Sequence, residues 1–180
     1  FGLIGFGYLL VEIPLIQQFI LFLDQPAYAF TAVLFGILLF SGLGSRFGSR
    51  KIRLSRGLLM LVGLLTLYLL FLPTLLHALL GASLLGRLLI TIGLIAPIGF
   101  LMGIPFPSGL KWMYQDLKSG RSASNRWMIA WVWAVNGAAS VIASILASLI
   151  SLSFGFSAAS GIGVACYLLA WAATRFKSSA

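Results

Sequence analysis

The chain has 180 residues, 61% of them hydrophobic and 8% charged, and a mean hydropathy of +1.08. That much apolar surface cannot be hidden inside a water-soluble globule of this size, so a soluble domain is excluded and the principal partner is the lipid bilayer. The formal charge of +9 does not read as a nucleic-acid surface, because the basic residues fall between apolar runs instead of on one wet face; no nucleic-acid partner is expected.

Six apolar runs follow one another, at residues 1–23, 27–43, 57–76, 88–106, 127–150 and 158–173. A helix rising 1.5 Å per residue crosses a ~30 Å hydrocarbon layer in about 20 residues, and each run is near that length. The expected fold is therefore all-α and integral to the membrane: one six-helix transmembrane domain over residues 1–180.

The first run contains "YLLVEIPLIQQFILFL", Tyr8 to Leu23, which keeps Glu12, Gln17 and Gln18 in an otherwise apolar stretch. Glu12 lies roughly 16 Å along the helix, near the bilayer midplane. A carboxylate facing lipid there costs several kcal/mol, so Glu12 is expected to face the bundle interior, neutral or hydrogen-bonded. Pro14 removes the donor for the Leu10 carbonyl and leaves an acceptor beside it. "DQPAY" reads as a tight turn in which Asp24 caps and Pro26 opens the second helix. After the second run, "SRFGSRKIRLSR" reads as a basic loop carrying Arg46, Arg50 and Lys51. His77 and Arg87 flank the loop between the third and fourth helices, and His77 reads as interfacial.

The fourth run, "LLITIGLIAPIGFLMGIPFPSGL", combines glycines with Pro97, Pro105 and Pro107, so it is expected to kink and then stop sharply. Such helix breaks line substrate sites in transporters. "SGLKWMYQDLKSGRSASNR" is a longer basic loop whose first half suits a short interfacial amphipathic helix. In the fifth run, Asn136 of "WVWAVNGAAS" lies roughly 14 Å from the helix start, which makes it the expected partner of Glu12. Trp131, Trp133 and Gln17 would complete a polar site. The competing reading is pure packing: a Glu and an Asn bonded across helices contribute about 1 kcal/mol and fix register. Ala139, Ala143 and Ala147 form one small-residue stripe and Ser140, Ser144 and Ser148 the next, a surface for close helix approach. Cys166, the single cysteine, reads as a packing residue.

Arg46, Arg50, Lys51, Arg53 and Arg56, then Lys111, Lys118, Arg121 and Arg126, then Arg175 and Lys177, put eleven of the twelve basic residues on one side; Arg87 alone is opposite. The positive-inside rule then places both chain ends in the cytoplasm, with the protein multi-pass in a cell inner membrane. Tyr28, Trp112, Trp127 and Trp171 lie near helix ends as interfacial anchors. Phe1 is not a methionine, and the chain is expected to be a piece of a longer one. No Walker glycine loop, nucleophile elbow, HExxH or metal-ligand cluster occurs, so no cofactor, metal or catalytic residue is assigned.

Three blocks carry a family resemblance. "GYLLVEIPLIQQFILFL…PAYAFTAVLFGILLFSGLGS", "PIGFLMGIPFPSGL" and "WAVNGAASVIASILASLISLSFGFSAA" resemble, in order, the C-terminal membrane region of bacterial integral-membrane spermidine synthase-like proteins, departing at Gln25 and Ser108. The resemblance implies a noncatalytic membrane module that anchors or serves a soluble aminopropyltransferase-like domain on the cytoplasmic side. Any such chemistry would belong to that domain, and no catalytic residue is carried over. "SGLGSRFGSRK" is similar to the major facilitator loop motif: Leu43, Gly44, Arg46, Gly48 and Arg50 match, while Ser41, Ser45 and Ser49 replace a glycine, the aspartate and an arginine. That likeness implies the layout of one facilitator half, built from two three-helix repeats, and hence half of a secondary transporter. A structural or accessory subunit of a larger membrane complex is the remaining alternative.

Overall fold

The computed structural model describes residues 1–118 and 125–176. Its elements are α1 (Gly2–Leu23), α2 (Pro26–Leu43), a π-helical turn (Gly44–Gly48), α3 (Ser49–Lys51), α4 (Leu54–Ala78), α5 (Leu84–Met102), α6 (Pro105–Lys118), α7 (Asn125–Phe154) and α8 (Phe156–Phe176). Six of these stretches, led by α1, α2, α4, α5, α7 and α8, are long and apolar enough to cross a membrane. The described residues form helices and no strands, and the six long apolar stretches are those of a multi-pass membrane protein. Arg121 and Lys177 lie outside the described residues.

The boundaries shift where tertiary contacts, not hydropathy, decide them. The basic loop after the second run is largely helical: the chain leaves α2 through the π-helical turn and α3 before it extends at Ile52. Hydroxyl-to-backbone bonding supports this continuation, since Ser49 Oγ donates to the Ser45 carbonyl one turn back. The fourth run starts earlier and stops earlier than hydropathy indicates, because Ser83 caps α5 by accepting from the Gly86 amide at 3.3 Å. Pro97 sits inside an unbroken α5, while Pro105 opens α6 and Pro107 lies in its first turn. Asp24 takes the left-handed conformation that ends α1 (φ 54°), and Gly155 (φ 89°) makes the turn from α7 to α8.

The first helix is the hub. It packs most extensively on α7 and α8 and also meets α2, while α2 lies along α5 and α4 along α8. Half of the apolar window of α1 is buried, against 17% for α7. Association of helices within lipid depends on close backbone approach rather than on hydrophobicity, and small residues supply it. Gly7 meets the Gly163 carbonyl and the side chains of Cys166 and Tyr167, and Leu10 packs with Ala143, Ala147 and Cys166. Gly2 faces Val135 and Ala139, Gly5 faces Asn136 and Ser140, and Leu10 faces Ala143 and Ala147; the numbers rise together, so α1 and α7 run parallel.

Candidate functional site

At the end of the bundle that carries Arg46, Arg50 and Lys51, α2 and α5 cross with their backbones touching. A methyl group on Gly44 would strike the Phe100 carbonyl, and one on Gly103 would strike the Ser41 carbonyl. Gly48 and Gly57 both close on Ile104, which is fully buried in the gap between α5 and α6. These contacts hold the π-helical turn where a regular helix would carry its side chains elsewhere. Interruptions of this kind frequently accompany functional sites.

Beside this crossing a crevice of ≈ 430 Å³ opens between α1, α2, the α5–α6 junction and α7. Its polar lining comes from Tyr8, Ser41, Ser45, Asn136 and Ser140, with Phe106 and Met102 among its apolar walls. Ser140 Oγ donates at 2.9 Å to the Asn136 carbonyl one turn earlier and lies 3.2 Å from the Gly5 carbonyl across the α1–α7 contact. Asn136 Oδ1 is buried and has no hydrogen-bond partner among the described residues. The Tyr8 phenol and Ser41 line the crevice together, and the Ser41 hydroxyl donates to the Leu38 carbonyl at 3.2 Å. An aromatic group closes the outer wall, with Phe106 edge-on to Phe1 at 5.7 Å and to Trp133 at 4.7 Å.

Glu12 faces the interior, only 6% exposed. Its expected pairing with Asn136 is not formed. Asn136 is level with Gly5, and Glu12 lies seven residues beyond, about 10 Å farther along the axis. The reason is the length of α7, which begins well outside the start of α1, so equal counts from the two helix starts do not give equal depths. Glu12 instead lies one turn from Tyr8 on its own helix. Tyr167 is fully buried and its hydroxyl has no partner.

The remaining sequence candidates disperse. Trp131 is 68% exposed and faces away from the bundle, while Trp133 joins the crevice wall only through Phe106. The side-chain carbonyl oxygens of Gln17 and Gln18 are buried and unpartnered, but neither residue reaches the crevice. Gln18 lines a cavity of ≈ 20 Å³ together with Tyr68, Pro73 and Ser160, room for about one water molecule. Pro107 lines the crevice; Pro97 does not. Arg46, Arg50 and Lys51 are exposed at its end of the bundle, with the Arg46 guanidinium 5.8 Å from the Phe47 ring centre. Tyr8 and Ser41 were the residues that sequence reasoning passed over; the i, i+4 spacing of Tyr8 and Glu12 was the available signal.

Neither a family model, nor a curated protein, nor a solved structure matches the chain.

Proposed function

We propose that the chain is a noncatalytic membrane module serving a soluble transferase-like domain on its basic, cytoplasmic side, as the resemblance to spermidine synthase-like membrane regions implies. One observation carries this reading. The three sequence blocks behind the resemblance, far apart in the chain, converge on a single crevice: Tyr8, Ser41 and Ser45 from the first, Gly103, Phe106 and Pro107 from the second, Asn136 and Ser140 from the third. The crevice is the natural place for such a domain to dock or to exchange a small polar molecule with the membrane interior.

A second reading, half of a secondary transporter, is favoured by the helix contacts. Exchanging the first three spans with the last three (α1 with α5, α2 with α7, α4 with α8) converts the α1–α7 contact into the α2–α5 contact and maps the α4–α8 and α1–α5 contacts onto themselves. These pairs suit a three-plus-three repeat, whereas α1–α2, α7–α8 and the more extensive α1–α8 packing have no equal counterpart under the exchange.

Native mass spectrometry of the particle released from its own membranes in mild detergent separates the readings. A chain heavier than 19.4 kDa, or one accompanied by a soluble transferase-like domain, supports the first. A second six-helix unit and no soluble domain supports the transporter half. Travel with several unrelated subunits would overturn both in favour of an accessory subunit.

A further inference from the structure

We infer that Glu12 is a proton-binding site inside the bundle, exchanging its proton with water at the basic end by way of Tyr8 and the polar crevice. This goes beyond both functional readings and requires neither of them.

The geometry supplies a buried acid, a connecting hydroxyl and an opening. Glu12 is buried on the hub helix α1, and among the described residues its carboxyl has no ion pair and no hydrogen bond. The groups that the packed helices offer are few. α8 brings Tyr167 and, next to it, Cys166. Tyr68 of α4 is spent on the Leu94 carbonyl at 2.8 Å. Arg87 of α5 bonds the Phe22 carbonyl at 3.0 Å, ten residues or about 15 Å beyond Glu12 along α1. Tyr28 of α2 is exposed near the Arg87 end, and α7 carries no ionisable side chain from Trp127 to Phe154. A proton is therefore the counter-charge within reach.

The way out runs toward the crevice. Tyr8 stands one helical turn from Glu12 on the same face and lines the open cavity beside Ser41. A phenol both accepts and donates. Its oxygen takes the Glu12 proton while its own O–H passes a proton to crevice water, which carries it out as hydronium, so Tyr8 ends neutral and Glu12 is left as the carboxylate. Toward the other end α1 offers apolar side chains and the two glutamines, and the Phe22 carbonyl in its last turn is closed by Arg87.

The test uses native membranes and dicyclohexylcarbodiimide, which couples to protonated carboxyls in apolar surroundings, with the adduct located by mass spectrometry. Only Glu12, Asp24 and Asp116 are acidic in the chain, so the site is unambiguous. The expected result is an adduct on Glu12 at acid pH whose yield falls about tenfold per pH unit once the group titrates, and which E12Q abolishes. No adduct at any pH, or a yield indifferent to pH, overturns the proposal. The route is read by stopped-flow infrared spectroscopy of the protonated-carboxyl band after a pH jump. Y8F is expected to slow the loss of that band at least about tenfold, which is a slower proton transfer rather than a lost fold. A second variant, S41C with Cys166→Ala, is folded first and then plugged with a water-soluble maleimide; it should slow the band equally. An unchanged rate in the plugged protein and in Y8F overturns the route.

Discussion

At the end of the bundle that carries His77 and Arg87, loose backbone groups are tied off. Arg87 donates through Nε to the Ala82 carbonyl at 2.9 Å and through Nη1 to the Phe22 carbonyl at 3.0 Å, so a cation sits on the C-terminal turn of α1, where the helix dipole favours it. At the basic end the reverse holds. Helices approach so closely through Gly44 and Gly103 that no side chain fits between them, and the space displaced to one side becomes a crevice with an unpartnered amide oxygen. One end is closed by added side chain and the other is shaped by its absence. Bulk at the crossing should therefore cost more than truncation at the closed end.

The sharpest way to break that contrast is to add one methyl group at the crossing. Gly103→Ala or Gly44→Ala places it against a backbone carbonyl that cannot rotate away, with an expected loss of about 3 kcal/mol, read as a lower thermal midpoint in detergent. A midpoint unchanged from the parent would mean that the two helices separate freely. Next in size is Arg87→Met, which keeps the stem but frees two carbonyls; about 2 kcal/mol of destabilisation is expected in the same assay. If its effect exceeds that of Gly103→Ala, the closed end is the more demanding one and the contrast inverts.

Smaller effects sharpen it further. Ser140→Ala removes a hydroxyl bridging α7 and the Gly5 carbonyl, yet intrahelical bonding already occupies that hydroxyl, so a loss below about 1 kcal/mol is expected. Gly63→Ala on α4 is the control, because nothing lies within 4 Å of the added carbon. It should be neutral or stabilise by about 0.5 kcal/mol through helix propensity, measured side by side with Gly103→Ala.

Apolar run length made the six spans legible in the sequence, and the cost of a lipid-facing charge made the inward orientation of Glu12 legible too. The depth of Asn136 was not, because hydropathy marks where a helix enters lipid and not where it begins; α7 starts at Asn125 and its register on α1 is set by Gly2, Gly5 and Leu10. Nor was the helical course of residues 44–51. Serines, glycines and arginines in sequence read as a loop, and only the carbonyls and side chains that the glycines meet across space, at Phe100 and Ile104, give them another conformation. The crevice followed from these two facts together.

The length of α7 has a mechanical consequence. Its 30 residues measure about 45 Å against a hydrocarbon layer of ~30 Å, so the helix either overhangs the membrane or leans within it. The exposed indoles of Trp127 and Trp131 favour the interfacial level on its basic-end portion, and they act there as floats. Changing bilayer thickness then changes the lean of α7 against α1, and the close approach of Gly5 to Asn136 at the crevice wall is where the two helices meet most tightly. In membranes of different thickness the same chain would hold the same crevice at different widths.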